Sequence, residues 1–227
     1  MTSPLVENLK GGLIVSCQAY VGEPLRHPET MAQMARAAEL GGAKAIRCQG
    51  LSDIAAIKGR VEVPVIGLWK EGHEGVYITP TLRHAVACVN AGTDIVAIDA
   101  TDRPRPDGRT FAQTVQDLRA QCETLIMADC ATIEDIRGAV AVGCDLVSTT
   151  LSHGVAAIDC TAADGPDLDL LRQACEEFPG YPIVCEGRVH TPHDAAGALE
   201  AGAWAVVVGT AITHPTSITS WFADALN

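Results

Sequence analysis

Thr81-Leu82-Arg83-His84-Ala85-Val86-Ala87-Cys88-Val89-Asn90-Ala91-Gly92-Thr93-Asp94-Ile95-Val96-Ala97-Ile98-Asp99 holds the pattern that decides the fold. Its first half carries apolar residues three and four apart, the spacing of an amphipathic helix. Gly92 stands just past that helix, where glycine can take the left-handed conformation that ends it. The second half is a short apolar run that stops on a carboxylate, as a strand buried on both faces does. Glu39-Leu40-Gly41-Gly42-Ala43, Ala141-Val142-Gly143-Cys144-Asp145 and Glu200-Ala201-Gly202-Ala203 repeat the stop before further apolar runs.

Working outward, strands are expected at Leu13–Cys17, Ala43–Arg47, Val65–Leu68, Ile95–Asp99, Leu125–Asp129, Leu146–Thr149, Ile183–Glu186 and Ala205–Gly209. Helices are expected at Glu29–Leu40, Asp53–Ile57, Thr81–Asn90, Phe111–Gln121, Ile133–Val142, Leu168–Phe178 and His193–Glu200, with another near Ser217–Leu226. Such alternation predicts an α/β fold, a single (β/α)8 TIM barrel over residues 1–227, with an open doubly wound sheet as the alternative. The 227 residues fit the size of one barrel domain, and no linker or shift of composition divides them.

Apolar residues make up 48% of the chain and aromatics only 4%, so Ala, Val, Ile and Leu must fill the core. A net charge of −12 argues against a non-specific nucleic-acid binder, which needs a basic face. It does not exclude an anionic substrate, because backbone N–H groups at a helix start can hold phosphate locally. Nine cysteines without a C-x-x-C pair, and no secretory segment or membrane span, predict reduced thiols in a soluble cytoplasmic protein. His190 and His193, spaced around Pro192, do not make a metal-ligand set.

In a barrel of this kind the chemistry sits at the C-terminal ends of the strands. Those ends are Gln18, Arg47, Lys70, Asp99, Asp129, Thr149/Thr150, Glu186 and Gly209/Thr210. Lys70 is one of only four lysines. Glu186 precedes Gly187-Arg188, so an ion pair with Arg188 competes with a catalytic role. Asp129 could cap the next helix, and Arg47 could balance it. The phosphate signal is late: Val206-Val207-Val208-Gly209-Thr210-Ala211 is a strand entering a small-residue turn, and Gly187 gives a similar position on the neighbouring strand. The Asp102–Arg109 stretch reads as a loop after strand 4 that could touch substrate. Leu151–Pro166 is a long connection that reads equally as a lid or as an ordinary surface loop.

Read in order, these pieces resemble one family. They are Val15-Ser16-Cys17-Gln18-Ala19, Ala45-Ile46-Arg47, Lys70 after Val65-Ile66-Gly67, and Tyr77-Ile78-Thr79-Pro80. Further on come Asp99-Ala100-Thr101-Asp102-Arg103-Pro104-Arg105-Pro106, Met127-Ala128-Asp129-Cys130, Thr149-Thr150-Leu151-Ser152, Glu186-Gly187-Arg188 and Val208-Gly209-Thr210-Ala211-Ile212-Thr213. From end to end the chain is similar to the N-acetylmannosamine-6-phosphate 2-epimerases. The resemblance implies an isomerase of sialic-acid and amino-sugar catabolism, a phosphorylated N-acetyl amino sugar as substrate, no cofactor, no metal and a homodimer. It makes Lys70 the catalytic acid/base and Glu186 its partner carboxylate. Gln18, Arg47 and Asp129 would hold or polarise the sugar, joined by Thr149 and Arg188. Gly187, Gly209 and Thr210 would hold the phosphate, with His214 beside them. The chain departs from the family pattern at Glu71 and His214, where arginine is usual, and at His153, where glycine is usual.

Epimerisation at C2 needs the ring opened to an aldehyde, a base for the C2 proton and polar groups for the enolate. Lys70 is the expected base, yet an ordinary lysine is protonated at neutral pH and neighbouring carboxylates would keep it so. Burial and Arg47 push the other way, and the sequence does not decide between them. A Schiff-base aldolase using Lys70 and a non-catalytic sugar-phosphate sensor are the competing readings.

Overall fold

The computed structural model describes residues 2–72, 75–152 and 165–226. Eight parallel strands close into a barrel in sequence order: β1 (Gly12–Cys17), β2 (Ala45–Gln49), β3 (Val65–Leu68), β4 (Ile95–Asp99), β5 (Leu125–Asp129), β6 (Leu146–Ser148), β7 (Ile183–Glu186) and β8 (Ala205–Val208). The last ladder pairs β8 with β1 from Gly12↔Ala205 to Val15↔Val208, so the sheet has no edge and the open-sheet alternative is excluded. The helices are α1 (Pro4–Asn8), α2 (Pro28–Leu40), α3 (Leu51–Lys58), α4 (Leu82–Asn90) and α5 (Phe111–Gln121). After them come α6 (Ile133–Ala141), α7 (Leu168–Glu177), α8 (Pro192–Glu200), α9 (Thr210–Thr213) and α10 (Pro215–Asp224).

The stops behave as the sequence predicts: Gly92 and Gly202 take φ values of 102° and 109°, one residue past the caps of α4 and α8. Reciprocal capping boxes start α5 (Thr110/Gln113), α6 (Thr132/Asp135) and α8 (Thr191/Asp194), fixing where each return helix begins. β2 starts two residues later than expected, because the N–H of Ala43 still donates to Ala38 in the cap of α2. β8 ends at Val208, since Gly209 is the N-cap of α9. α1 is not among the expected helices. Ser3 caps this short helix, and its Val6 carbonyl accepts a hydrogen bond from Trp204 Nε1 at 2.9 Å, tying it to the last strand.

Alternation along the strands makes two cores. Ala45, Ile95, Ala97, Met127, Val184 and Ala205 belong to the buried cluster that fills the barrel. Ile46, Cys48, Val96, Ile98, Ile126 and Ala128 belong to the cluster packed against the helices. Side chains two apart share a face, so the inward rows continue upward into Ser16, Arg47, Asp129, Ser148 and Glu186. The polar mouth is therefore the top layer of the same rows that fill the barrel with apolar side chains.

Candidate active site

A cavity of about 230 Å³ opens where these rows end; Gln18, Arg47, Lys70, Thr150 and Glu186 line it. Arg47 is only 1% exposed. Its Nη2 donates to Asp129 Oδ2 at 2.7 Å, and its Nη1 lies 3.6 Å from Met127 Sδ. Its Nε lies 3.2 Å from Glu186 Oε1 but makes no hydrogen bond. Burial works against the guanidinium charge, but Asp129 and then Glu186 more than restore it. Asp129 is fully buried beside the cavity and does not line it.

Lys70 Nζ donates to Gln18 Oε1 at 2.8 Å, and Gln18 Nε2 donates to Ser16 Oγ at 2.8 Å. Burial first, then repulsion from Arg47, brings the ammonium down to a pKa of about 8 against the opposing pull of Glu186 and Asp129. That answers the question the sequence left open: desolvation and Arg47 outweigh the carboxylates. Glu186 shifts the opposite way, raised by burial and by Asp129 while the charges of Arg47 and Lys70 oppose. A lysine lowered and a carboxyl raised in one cavity bring an acid and a base toward neutral pH.

Lys70 does not sit on β3 itself. It lies on a short antiparallel ribbon, paired with Ile78, in which Glu71 N–H donates to Tyr77 O at 3.0 Å and Thr79 N–H to Trp69 O at 2.8 Å. The ribbon is clamped from outside. The Glu71 carboxylate meets His84 Nε2 at 2.7 Å, and His84 Nδ1 meets Thr81 Oγ1 at 2.6 Å at the start of α4. Trp69 packs edge-on against the buried His84 ring. In the sequence Glu71 is only a departure from the family pattern; its partner thirteen residues on gives it a role.

The structure corrects several expectations. Thr149 does not reach the cavity: it is fully buried, and its hydroxyl donates to the Glu186 carbonyl at 3.0 Å while accepting from the Glu186 N–H at 3.1 Å. It shares the outward parity of Val147, so the inward position falls to Thr150. Arg188 lines the cavity but does not pair with Glu186; its Nε donates to Gly165 O at 2.7 Å and its Nη1 to Ser152 O at 3.4 Å. The guanidinium beside Glu186 is that of Arg47, whose Nε lies 3.2 Å from Glu186 Oε1. None of residues 102–109 lines the cavity. Arg103 donates to Asp99 Oδ2 at 2.6 Å, and Thr101 holds the other carboxylate oxygen of that buried residue. Gly187 (φ 108°), Gly209 and Thr210 line the cavity. His214 lines it too, but its Nδ1 faces Ser217 Oγ at 2.7 Å and its Nε2 faces Glu23 Oε1 at 3.3 Å. His153 and most of the Leu151–Pro166 connection lie outside the described residues.

A family model described as "Putative N-acetylmannosamine-6-phosphate epimerase" matches residues 31–227. A Cutibacterium acnes protein named "Putative N-acetylmannosamine-6-phosphate 2-epimerase" is 54% identical over 226 residues, covering 99% of this chain and 98% of its own. One of the same name from Caldanaerobacter subterraneus is 48% identical over 98% of this chain and 94% of its own. The solved N-acetylmannosamine-6-phosphate 2-epimerase from Clostridium perfringens superposes with a TM-score of 0.89 at 38% identity, over 99% of this chain and 97% of that one. A thiamine phosphate pyrophosphorylase from Pyrococcus furiosus, at 16% identity and a TM-score of 0.61, shares the fold alone. On sequence and structure together, the chain belongs to the N-acetylmannosamine-6-phosphate epimerase family.

Proposed function

We propose that this protein interconverts N-acetylmannosamine 6-phosphate and N-acetylglucosamine 6-phosphate, in sialic-acid and amino-sugar metabolism. The observation that carries the reading is the pairing of Lys70, lowered to about 8, with the raised carboxyl of Glu186 in one cavity beside Arg47. Glu186 gives its proton to the ring oxygen as the C1–O bond breaks and takes the C1 hydroxyl proton in return, which leaves an aldehyde. The C2 proton is then acidic. Neutral Lys70 removes it, the C–H electron pair moves into the C1–C2 bond, and charge collects on the aldehyde oxygen. Arg47 and Gln18 are the nearby groups that stabilise such charge. A proton returned to the other face of C2 gives the epimer, from the Lys70 ammonium in a one-base course or from Glu186, again an acid, in a two-base course.

Backbone N–H groups carry the phosphate in this reading. In α9 the N–H groups of Ile212 and Thr213 already donate to Gly209 O, so those of Thr210 and Ala211 at its start are the ones left for the phosphate, and Gly187 and Gly209 leave the approach open. Arg188 and Thr150 flank the sugar, and His214 stands beside the phosphate position. No observation favours the aldolase or the sensor.

Proton NMR of N-acetylmannosamine 6-phosphate with the protein in D2O tests the assignment. The new epimer should form with deuterium at C2, and an unchanged sugar would overturn the reading. Glu186→Gln keeps the shape but removes proton exchange, so kcat should fall by at least about a hundredfold. A change confined to KM would make Glu186 a binding residue.

The assembly proposed is a homodimer in the cytosol. Its support is that α10 buries none of its residues, that Phe222 and Leu226 are 71% and 88% exposed, and that the described cysteines are all free thiols. Among the described residues no helix is long and apolar enough to cross a membrane. Sedimentation at micromolar concentration should give the dimer mass; a monomer alone would defeat it.

A further inference from the structure

Thr150 stands between the two buried carboxylates. Its Oγ1 lies 2.9 Å from Asp129 Oδ1, 3.1 Å from Glu186 Oε2 and 2.7 Å from Ser148 Oγ. Three short oxygen–oxygen contacts need three protons, one in each. A hydroxyl brings one proton and two lone pairs. Thr150 and Ser148 therefore supply two. The Ser148 proton belongs on Thr150, because Ser148 lies 3.5 Å from Glu186 Oε2, at the limit of a hydrogen bond. As a donor to Glu186, Thr150 would lower that carboxyl, but a hydroxyl cannot donate to both carboxylates, and its single proton belongs on Asp129, the nearer one. With both carboxylates ionised, the Thr150–Glu186 contact would set lone pairs against lone pairs. One proton on Glu186 Oε2 completes the set: Glu186 and Ser148 both donate to Thr150, and Thr150 donates to Asp129.

The charges around Glu186 agree with that count. The groups facing it are Arg47 from β2, Lys70 from the ribbon after β3, Asp129 from β5 and Tyr20 from the loop after β1. Arg47 gives its hydrogen bond to Asp129, and its Nε makes none to Glu186 despite lying 3.2 Å away. Asp129 is thus the anion that answers Arg47.

We infer that Thr150 is a positioning residue that holds Glu186 as a neutral carboxylic acid, accepting its proton and giving its own to Asp129. The inference deepens the proposed epimerase reading, in which Glu186 must meet the sugar as a proton donor. Thr150 is the inward member of the Thr149-Thr150 pair, and valine there keeps the shape while deleting the relay. Thr149 cannot take its place, since that hydroxyl is bound to the Glu186 backbone.

Infrared titration of the substrate-free protein tests this, with Glu186→Gln used to assign the carboxylic-acid C=O band. In the wild type the Glu186 band should persist well above the ordinary glutamate range, near pH 4.3. In Thr150→Val its midpoint should fall by about half to one pH unit, the scale of one neutral hydrogen bond. Thr150→Ser should restore it. A wild-type band already gone by about pH 5 would overturn the inference without any variant. So would a midpoint that rises in Thr150→Val, because Thr150 would then be donating to an ionised Glu186. No substrate enters the measurement, so a failed epimerase assay beside an intact band would count against the activity and leave the proton where it is placed here.

Discussion

Replacing Lys70 by alanine is expected to lower kcat by at least about a hundredfold, up to about ten-thousandfold, and to abolish deuterium exchange at C2. The pH profile sharpens the test. Lys70 works as a base only when neutral, and its pKa is about 8. In the wild type kcat/KM should therefore follow a bell in pH, with one limb near 8 from Lys70 and a second where Glu186 loses its proton, and the variant should lose the Lys70 limb. Stability should move the other way. A lysine whose folded pKa is lowered opposes folding most at pH values below its folded pKa, and the penalty fades as pH rises from about 8 toward its unfolded value. Lys70→Met should therefore be inactive yet unfold at a higher urea concentration than the wild type at pH 7. Near-normal C2 exchange in either variant would remove Lys70 from the role.

Arg47→Met is expected to be the most destabilising single change at the site. Arg47 and Asp129 are 1% and 0% exposed and joined at 2.7 Å. Taking away one member leaves a buried charge without its partner, which costs about 3–5 kcal/mol. Urea unfolding should show that loss, and Arg47→Met with Asp129→Asn should recover part of it. The catalytic signature differs from that of Lys70: Arg47 helps to hold the lysine pKa down, so the limb near 8 should shift to higher pH in any Arg47→Met protein that folds. An unchanged urea midpoint would show that the pair contributes nothing net. An unchanged limb would show that burial alone sets Lys70.

The sequence was most informative where chemistry follows from position along a strand. The ends of the apolar runs marked Arg47, Asp129 and Glu186, which the period-two alternation of the strands turns inward, and the limits of β3, β4, β5 and β7 agree with the expected ones. The same rule, carried one residue further, separates Thr150 from Thr149. It could have corrected that assignment, but β6 stops at Ser148 and the rows run past its end. What the sequence hid are contacts made across loops. Arg188 stands two residues from Glu186, yet its guanidinium turns to the carbonyls of Ser152 and Gly165. His214 reads as a phosphate ligand after the Gly209-Thr210 turn, but Glu23 and Ser217 face its ring nitrogens. The Glu71–His84 clamp joins a loop to a helix, and no periodicity reports it.

The ladder between β1 and β8 bears on how the molecule is made. β1 leaves the ribosome early, but its second neighbour, Ala205–Val208, is about 190 residues further on. At about 5–20 residues per second, translation leaves one side of β1 without its partner for roughly 10–40 s. An unpaired strand is a template for joining other chains, so the nascent protein should depend on chaperones more than the finished barrel does. Catalytic competence arrives in the same event. Gln18, the partner of Lys70, follows β1, and Gly209 follows β8, so the pocket is complete only when the first and last staves meet.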